Sequence, residues 1–249
     1  MSNERLKFII KAVYDLLPTP ANKCRWFDTD EKCLLCGENG SLNHILAGCD
    51  VARSQGRYTW RHNKVLRELA SIIQEKIVNN VKNPEKKSIA FVKPGEKAKI
   101  NKSFQQESFL SSADDWKMSV DLEQRMKIPG RVAVTDLRPD ITILSEKTKQ
   151  MMIIELTVPT EERIEISGEL KRAKYECIVV EGRQNGWGMR CWAVEIGCRG
   201  FPAVSMSRLL KDLGYSGKER KIKLEKLGRI AEEASRSLWK ASHYKSWGK

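Results

Sequence analysis

Apolar residues recur along this chain at two spacings, one helical and one extended. In residues 3–17, Leu6, Ile9, Ile10, Val13, Leu16 and Leu17 fall three and four apart, which predicts an amphipathic helix. Pro18 and Pro20 stop it, because proline cannot donate the next backbone hydrogen bond. A longer helix is predicted over roughly 58–81, with Val65, Leu69, Ile72, Ile73 and Ile77 as its apolar stripe. Arg57, Arg61, Lys64, Arg67 and Lys76 form its basic face. Beyond residue 116 the period changes. Residues 117–124 alternate, 136–146 and 150–158 are apolar runs joined by a short polar turn, and 188–197 is another run. These predict a strand, a hairpin and a further strand. A helix is predicted between them over 160–184. Thr160 is its N-cap, and Glu161 and Glu162 lie in the first turn, where the helix dipole favours acids. Two more helices, 203–213 and 218–242, close the chain.

This order predicts an α/β fold with a mixed sheet, preceded by a helical region. On this pattern the chain divides into a helical region 1–82, a basic linker 83–113 and an α/β domain 114–249. The linker is assigned from its Lys, Ser and Gln content and a Pro-Gly turn.

Charge narrows the partner. Lys and Arg number 45 against 32 Asp and Glu, a formal net charge of +13. Residues 51–108 alone carry thirteen Lys or Arg against five Asp or Glu. A polyanion is the natural partner of such a surface. On the long helix, Trp60, Arg61 and Lys64 are the candidate DNA contacts. No apolar run reaches the ~20 residues that span a bilayer, so no membrane partner is expected. Seven cysteines and no secretory signal point to a reducing setting, the nucleus or the cytoplasm before import.

Two groups of residues carry candidate chemistry. Cys33 and Cys36 are separated by two residues, His44 follows after seven and Cys49 after four more. A Cys-x2-Cys turn aims two thiolates at one ion, and two further borderline ligands complete a closed structural zinc site. Cys24 is read as a bystander, and Cys177, Cys191 and Cys198 as core thiols. The second group is acidic. Asp140 opens one strand of the predicted hairpin, and Glu155, the only charge in MMIIELTV, lies late in its partner. A buried carboxylate must be paired, protonated or on a metal. Two converging acids suit a hard cation such as Mg²⁺, and Lys171 and Lys174 on the following helix are close enough in sequence to lean over them. A strand-end Asp, a salt-bridged Glu and a solvated helix face are the alternative reading of the same residues.

Arg138-Pro139-Asp140, Glu155 after fourteen residues, and a helix bearing Lys171, Lys174 and Tyr175 together resemble the PD-(D/E)XK nuclease pattern. More closely they resemble the restriction-like endonuclease of site-specific non-LTR retrotransposons. The upstream Cys-Cys-His-Cys knuckle and the stretches LPTPANKCRW, GRYTWRHNKVLRELA and IIELTVPTEER are similar to the same group. The resemblance implies a restriction-endonuclease-like core and a Mg²⁺-dependent DNA endonuclease that leaves a 3′-hydroxyl. It implies that Asp140 and Glu155 hold Mg²⁺ and the scissile phosphate, with Asp121 as an additional acid. One of Lys171 or Lys174 would replace the motif lysine, because Thr157 stands two residues after Glu155. Arg138 belongs to the signature and is a further DNA contact. Cys33, Cys36, His44 and Cys49 would bind zinc. DNA and the element's RNA would be the partners, and the reverse transcriptase of such polyproteins is absent from this chain. A catalytically inactive DNA-binding remnant or host-retained fragment of the element, or a protein-interaction module built on the knuckle, remain open.

Overall fold

The computed structural model describes residues 3–82, 108–123 and 125–247. Most of the expected linker, 83–107, lies outside the described residues. The fold is mixed α/β, with a four-stranded mixed sheet and seven α-helices among those residues.

The helical region begins with α1, Asn3–Val13, and α2, Pro20–Phe27. From sequence Pro20 is expected only to end the preceding helix. It also opens α2, since its fixed φ suits the first helical position, and the Thr19 hydroxyl accepts a hydrogen bond from Asn22 N. A π-helical turn, His44–Gly48, leads into the short α3, Asp50–Ser54. The long helix α4, Arg57–Lys82, follows close to its expected bounds.

Strands β1 (Lys117–Val120), β2 (Ile141–Ser145), β3 (Gln150–Thr157) and β4 (Gly188–Glu195) line up in that order. The first three run antiparallel, and β4 runs parallel to β3. Parallel neighbours need a crossover, here α5, Ile164–Gln184. Helices α6, Val204–Asp212, and α7, Gly217–Ala241, complete the chain, α7 starting on a Ser216–Glu219 capping box. Two expected strands are shorter than their runs. Asp121 Oδ1 accepts from Arg125 N and Met126 N, which turns the chain away after β1. Pro139 has no N–H to extend the ladder before β2.

Alternation along β3 sorts the core into two. Met151 and Ile153 face Tyr175 and Ile178 of α5, while Met152, Ile154 and Leu156 face the stripe Val65 to Ile77 of α4 together with α6 and α7. Phe109 and Leu110, within the expected linker, are buried in this second core. The helical region and the sheet thus share one apolar interior across the expected boundary, because the α4 stripe finds its partner on the sheet face. No helix among the described residues is long and apolar enough to cross a membrane.

One buried charge lies in the seam between β4 and α5. Glu195 is 3% exposed; Ser205 Oγ donates to its Oε2, and its Oε1 has no hydrogen-bond partner among the described residues. Helix α5 passes so close that a Cβ on Gly168 would meet Glu195 Oε1 at 2.4 Å. Burial raises the Glu195 pKa above its ordinary value, outweighing the lowering by Ser205 and Arg172. A carboxyl with a raised folded pKa contributes stability that is full at acid pH and lost as pH climbs through that value. Glu195→Gln, which carries no charge, is therefore expected to melt higher than the native chain at pH 8 and level with it near pH 4. An offset of equal size at both pH values would contradict this assignment.

Candidate functional site

The Cys/His group is the tighter of the two. Gly37 takes φ +83° and its N–H donates to Cys33 O at 2.9 Å, while Cys33 N donates to Glu38 O at 2.6 Å. Only a residue without Cβ adopts that φ readily, so Gly37 closes the turn that brings Cys33 and Cys36 together. His44 opens the π-helical turn, and Cys49 ends it and caps α3, its Sγ accepting from Ala52 N at 3.5 Å. The ligand atoms of Cys33, Cys36, His44 and Cys49 lie within 4.8 Å of one another. His44 Nε2 approaches Cys36 Sγ to 3.1 Å. Ligand bonds of 2.0–2.3 Å on a tetrahedron put ligand atoms about 3.3–3.8 Å apart, so these four can hold one metal ion. The set is compatible with zinc. Burial and the neighbouring Cys49 and Cys33 sulfurs push the Cys36 thiol up to about 11, against the lowering by a Glu38 backbone hydrogen bond. A metal ion bound there would favour the thiolate form of Cys36 that ligates it. Tyr58 braces the group from α4: its hydroxyl accepts from Cys49 N at 3.0 Å and lies 3.0 Å from Ile45 O.

The acidic group lies at the end of the β2–β3 hairpin. Ile141 pairs with Ile154, which puts Asp140 opposite Glu155. The two acids are clasped reciprocally. Asp140 N donates to Glu155 Oε2 at 3.2 Å, and Leu156 N donates to Asp140 Oδ2 at 2.8 Å. Lys171 reaches in from α5 and its Nζ lies 2.5 Å from Glu155 Oε1. Glu155 itself is only 4% exposed. Lys174 turns to Tyr175 instead, its Nζ 3.2 Å from the phenol oxygen. Tyr175 is fully buried and donates to Arg138 O at 2.8 Å, tying α5 to the turn that carries Asp140. Burial, with the charge of Glu155, raises its pKa.

A cleft of about 260 Å³ opens beside Asp140, with Thr59, His62 and Asn63 of α4 on one wall and Asp121, Arg138 and Asp140 on the other. Asp121 N also donates to Asp140 O at 2.8 Å. Five of the expected residues, Asp121, Arg138, Asp140, Glu155 and Lys171, thus gather at one end of the sheet. His62 went unread. Its Nε2 lies 3.2 Å from both Asp140 Oδ2 and Leu156 O, and its Nδ1 3.1 Å from Asn63 Oδ1. Burial lowers its pKa, but the hydrogen bond and charge of Asp140, with Asn63 and the Leu156 carbonyl, leave it raised.

No protein-family model matches this chain. Nor does any curated protein. The site therefore stands on its own residues.

Two expectations about side chains are corrected. Arg61 is not at the surface. It is 2% exposed and donates to Leu46 O at 2.9 Å, Val158 O at 2.9 Å and Ser235 Oγ at 3.1 Å. The reason was legible: Arg61 stands four residues before Val65 and eight before Leu69, on the apolar stripe itself. Arg61→Ala would leave two carbonyls without this donor, at about 1–3 kcal/mol each. Its unfolding midpoint in urea is expected to fall well below that of Lys64→Ala, and equal midpoints would return Arg61 to the surface. Cys177, expected in the core, is exposed, while Cys198 is buried and Cys191 half-buried. Trp60 and Lys64 do lie together, with the Lys64 ammonium 4.4 Å from the Trp60 ring and Trp247 edge-on to that ring at 5.4 Å.

Proposed function

We propose that this chain is a metal-dependent DNA endonuclease of the PD-(D/E)XK kind, with a restriction-endonuclease-like core. In this reading it derives from the nuclease region of a site-specific non-LTR retrotransposon and acts on DNA in the nucleus. The observation that carries the reading is the reciprocal clasp of Asp140 and Glu155 across the hairpin, with Lys171 on the second acid.

Asp140 and Glu155 are hard oxygen donors on facing strand positions, the donor chemistry that Mg²⁺ takes. They would hold the ion, with Asp121 on the same cleft wall. Bound there, Mg²⁺ supplies Lewis-acid stabilisation of the charge that grows on the phosphate. The chain does the rest. Water would attack phosphorus in line and give up a proton to solvent while the P–O3′ bond breaks; the departing O3′ would take a proton from solvent, leaving a 5′-phosphate and a 3′-hydroxyl. The Lys171 ammonium, held by Glu155, would offset developing negative charge and orient the water. Arg138 in the cleft lining, and Lys64 and Trp60 on an adjacent face of α4, would hold the DNA backbone. Zinc on Cys33, Cys36, His44 and Cys49 would fix the entry into α4.

The burial of Glu155 and its ion pair with Lys171 favour a second reading, a DNA-binding remnant without catalysis. Incubating the purified chain with supercoiled plasmid and Mg²⁺, alongside a mobility-shift assay, separates the two. Nicking supports the nuclease. Binding without nicking under any divalent metal selects the remnant.

A further inference from the structure

Thr59, His62 and Asn63 lie three and four residues apart on α4, so one face of that helix forms a wall of the cleft opposite Asp140. His62 Nε2 is equidistant, at 3.2 Å, from Asp140 Oδ2 and Leu156 O. Both are acceptors. The nitrogen between them must therefore carry a proton, and a protonated ring nitrogen donates rather than ligates. The same Asp140 oxygen also receives the Leu156 amide at 2.8 Å. Two donors from different layers, a strand amide and a helix imidazole, thus converge on Oδ2. They fix the plane of the carboxylate and occupy that oxygen, which leaves Oδ1 as the atom to present to an incoming cation.

We propose that His62 is a positioning residue for a divalent cation at Asp140, acting through the Nε2–H to Oδ2 hydrogen bond. The proposal rests on the nuclease reading and extends it, because it makes α4 part of the active centre. The consequence reaches the Cys/His group. Tyr58, four residues before His62, binds the Cys49 amide through its hydroxyl, so the Cys/His knuckle and the acid pair are joined by one turn of a single helix. A carboxylate that binds metal depends on the group orienting it, and loss of such a partner typically weakens metal affinity about 10- to 100-fold.

The test is calorimetric titration of the full chain with Mg²⁺, without DNA, after zinc content and melting temperature have been matched. His62→Phe keeps the ring volume and removes the N–H. It is expected to weaken Mg²⁺ binding about 10- to 100-fold. His62→Gln carries an amide N–H of similar reach and is expected to recover most of that loss, which packing alone would not predict. Exchange at the Leu156 amide should rise in His62→Phe and not in His62→Gln. Wild-type affinity in His62→Phe, with binding abolished in Asp140→Ala, would overturn the role of His62 and leave the nuclease reading standing. A native chain that takes up no Mg²⁺ would overturn both.

Discussion

Asp140→Asn is expected to slow Mg²⁺-dependent nicking about a thousandfold, and Glu155→Gln to do the same. The magnitude follows from the chemistry. A bound cation lowers the barrier by several kcal/mol through charge stabilisation, and about 4 kcal/mol corresponds to a factor of a thousand in rate. Asparagine and glutamine keep the size of the side chains and can still accept from Leu156 N and Asp140 N, so the clasp survives while the charge that attracts the ion does not. DNA binding is expected to persist, since it rests on basic residues elsewhere. The two lysines should separate. Lys171→Met removes the ammonium at Glu155 and is expected to cost about a hundredfold, the range for removing one preorganised group that stabilises charge in the transition state. Lys174→Met, which loses only its contact with Tyr175, should stay near the native rate. Equal residual cutting in Asp140→Asn and the native protein would assign the activity to another site or to a contaminant.

Removing the metal from the Cys/His group is expected to have the largest effect on stability. The purified chain should carry about one zinc, and Cys36→Ser should lose it. Structural zinc in small peptides contributes about 10–16 kcal/mol of apparent binding energy, because nothing else folds them. Here Leu42, Ile45 and Leu46 pack with Phe8, Ala12 and Leu17, and hold part of the loop without an ion. A loss of about 5 kcal/mol is therefore expected, which for a chain of this size lowers the melting temperature by about 10–20 °C. The damage should concentrate before and at the start of α4, where Tyr58 meets the ligand loop, and hydrogen exchange should rise there first. Zinc retained in full by Cys36→Ser would move the ligand assignment to other residues.

Much of this protein is readable from short-range pattern. The stripe of α4, the 150–157 strand and the α5 crossover come from spacings of three to four or of two, which the backbone period enforces wherever a segment is buried on one side. The knuckle is equally local, because a Cys-x2-Cys turn and its two later ligands lie within seventeen residues. The Asp140–Glu155 facing depends on the register of a short hairpin whose β3 strand is buried on both faces, so alternation alone leaves it open.

What escaped is long-range. Residue 62 meets residue 140 across a fold in which α4 lies against the sheet face opposite α5, and no local period states which end of a helix reaches which end of a strand. The charge of Arg61 suggests the surface while its place on the stripe puts it inside; three acceptors from three distant segments make its burial tolerable, and only the assembled core supplies them. The choice between Lys171 and Lys174 turned on how α5 is rotated about its axis, which Tyr175 sets by filling the core and bonding Arg138 O. The sequence by itself determined the long helices, the apolar strands and the close spacing of the Cys/His group, because those depend on contacts near in the chain. The tertiary structure decided which cation joins the acids, that a histidine from another layer touches them, and which basic residues reach solvent, because those depend on where whole elements come to rest against one another.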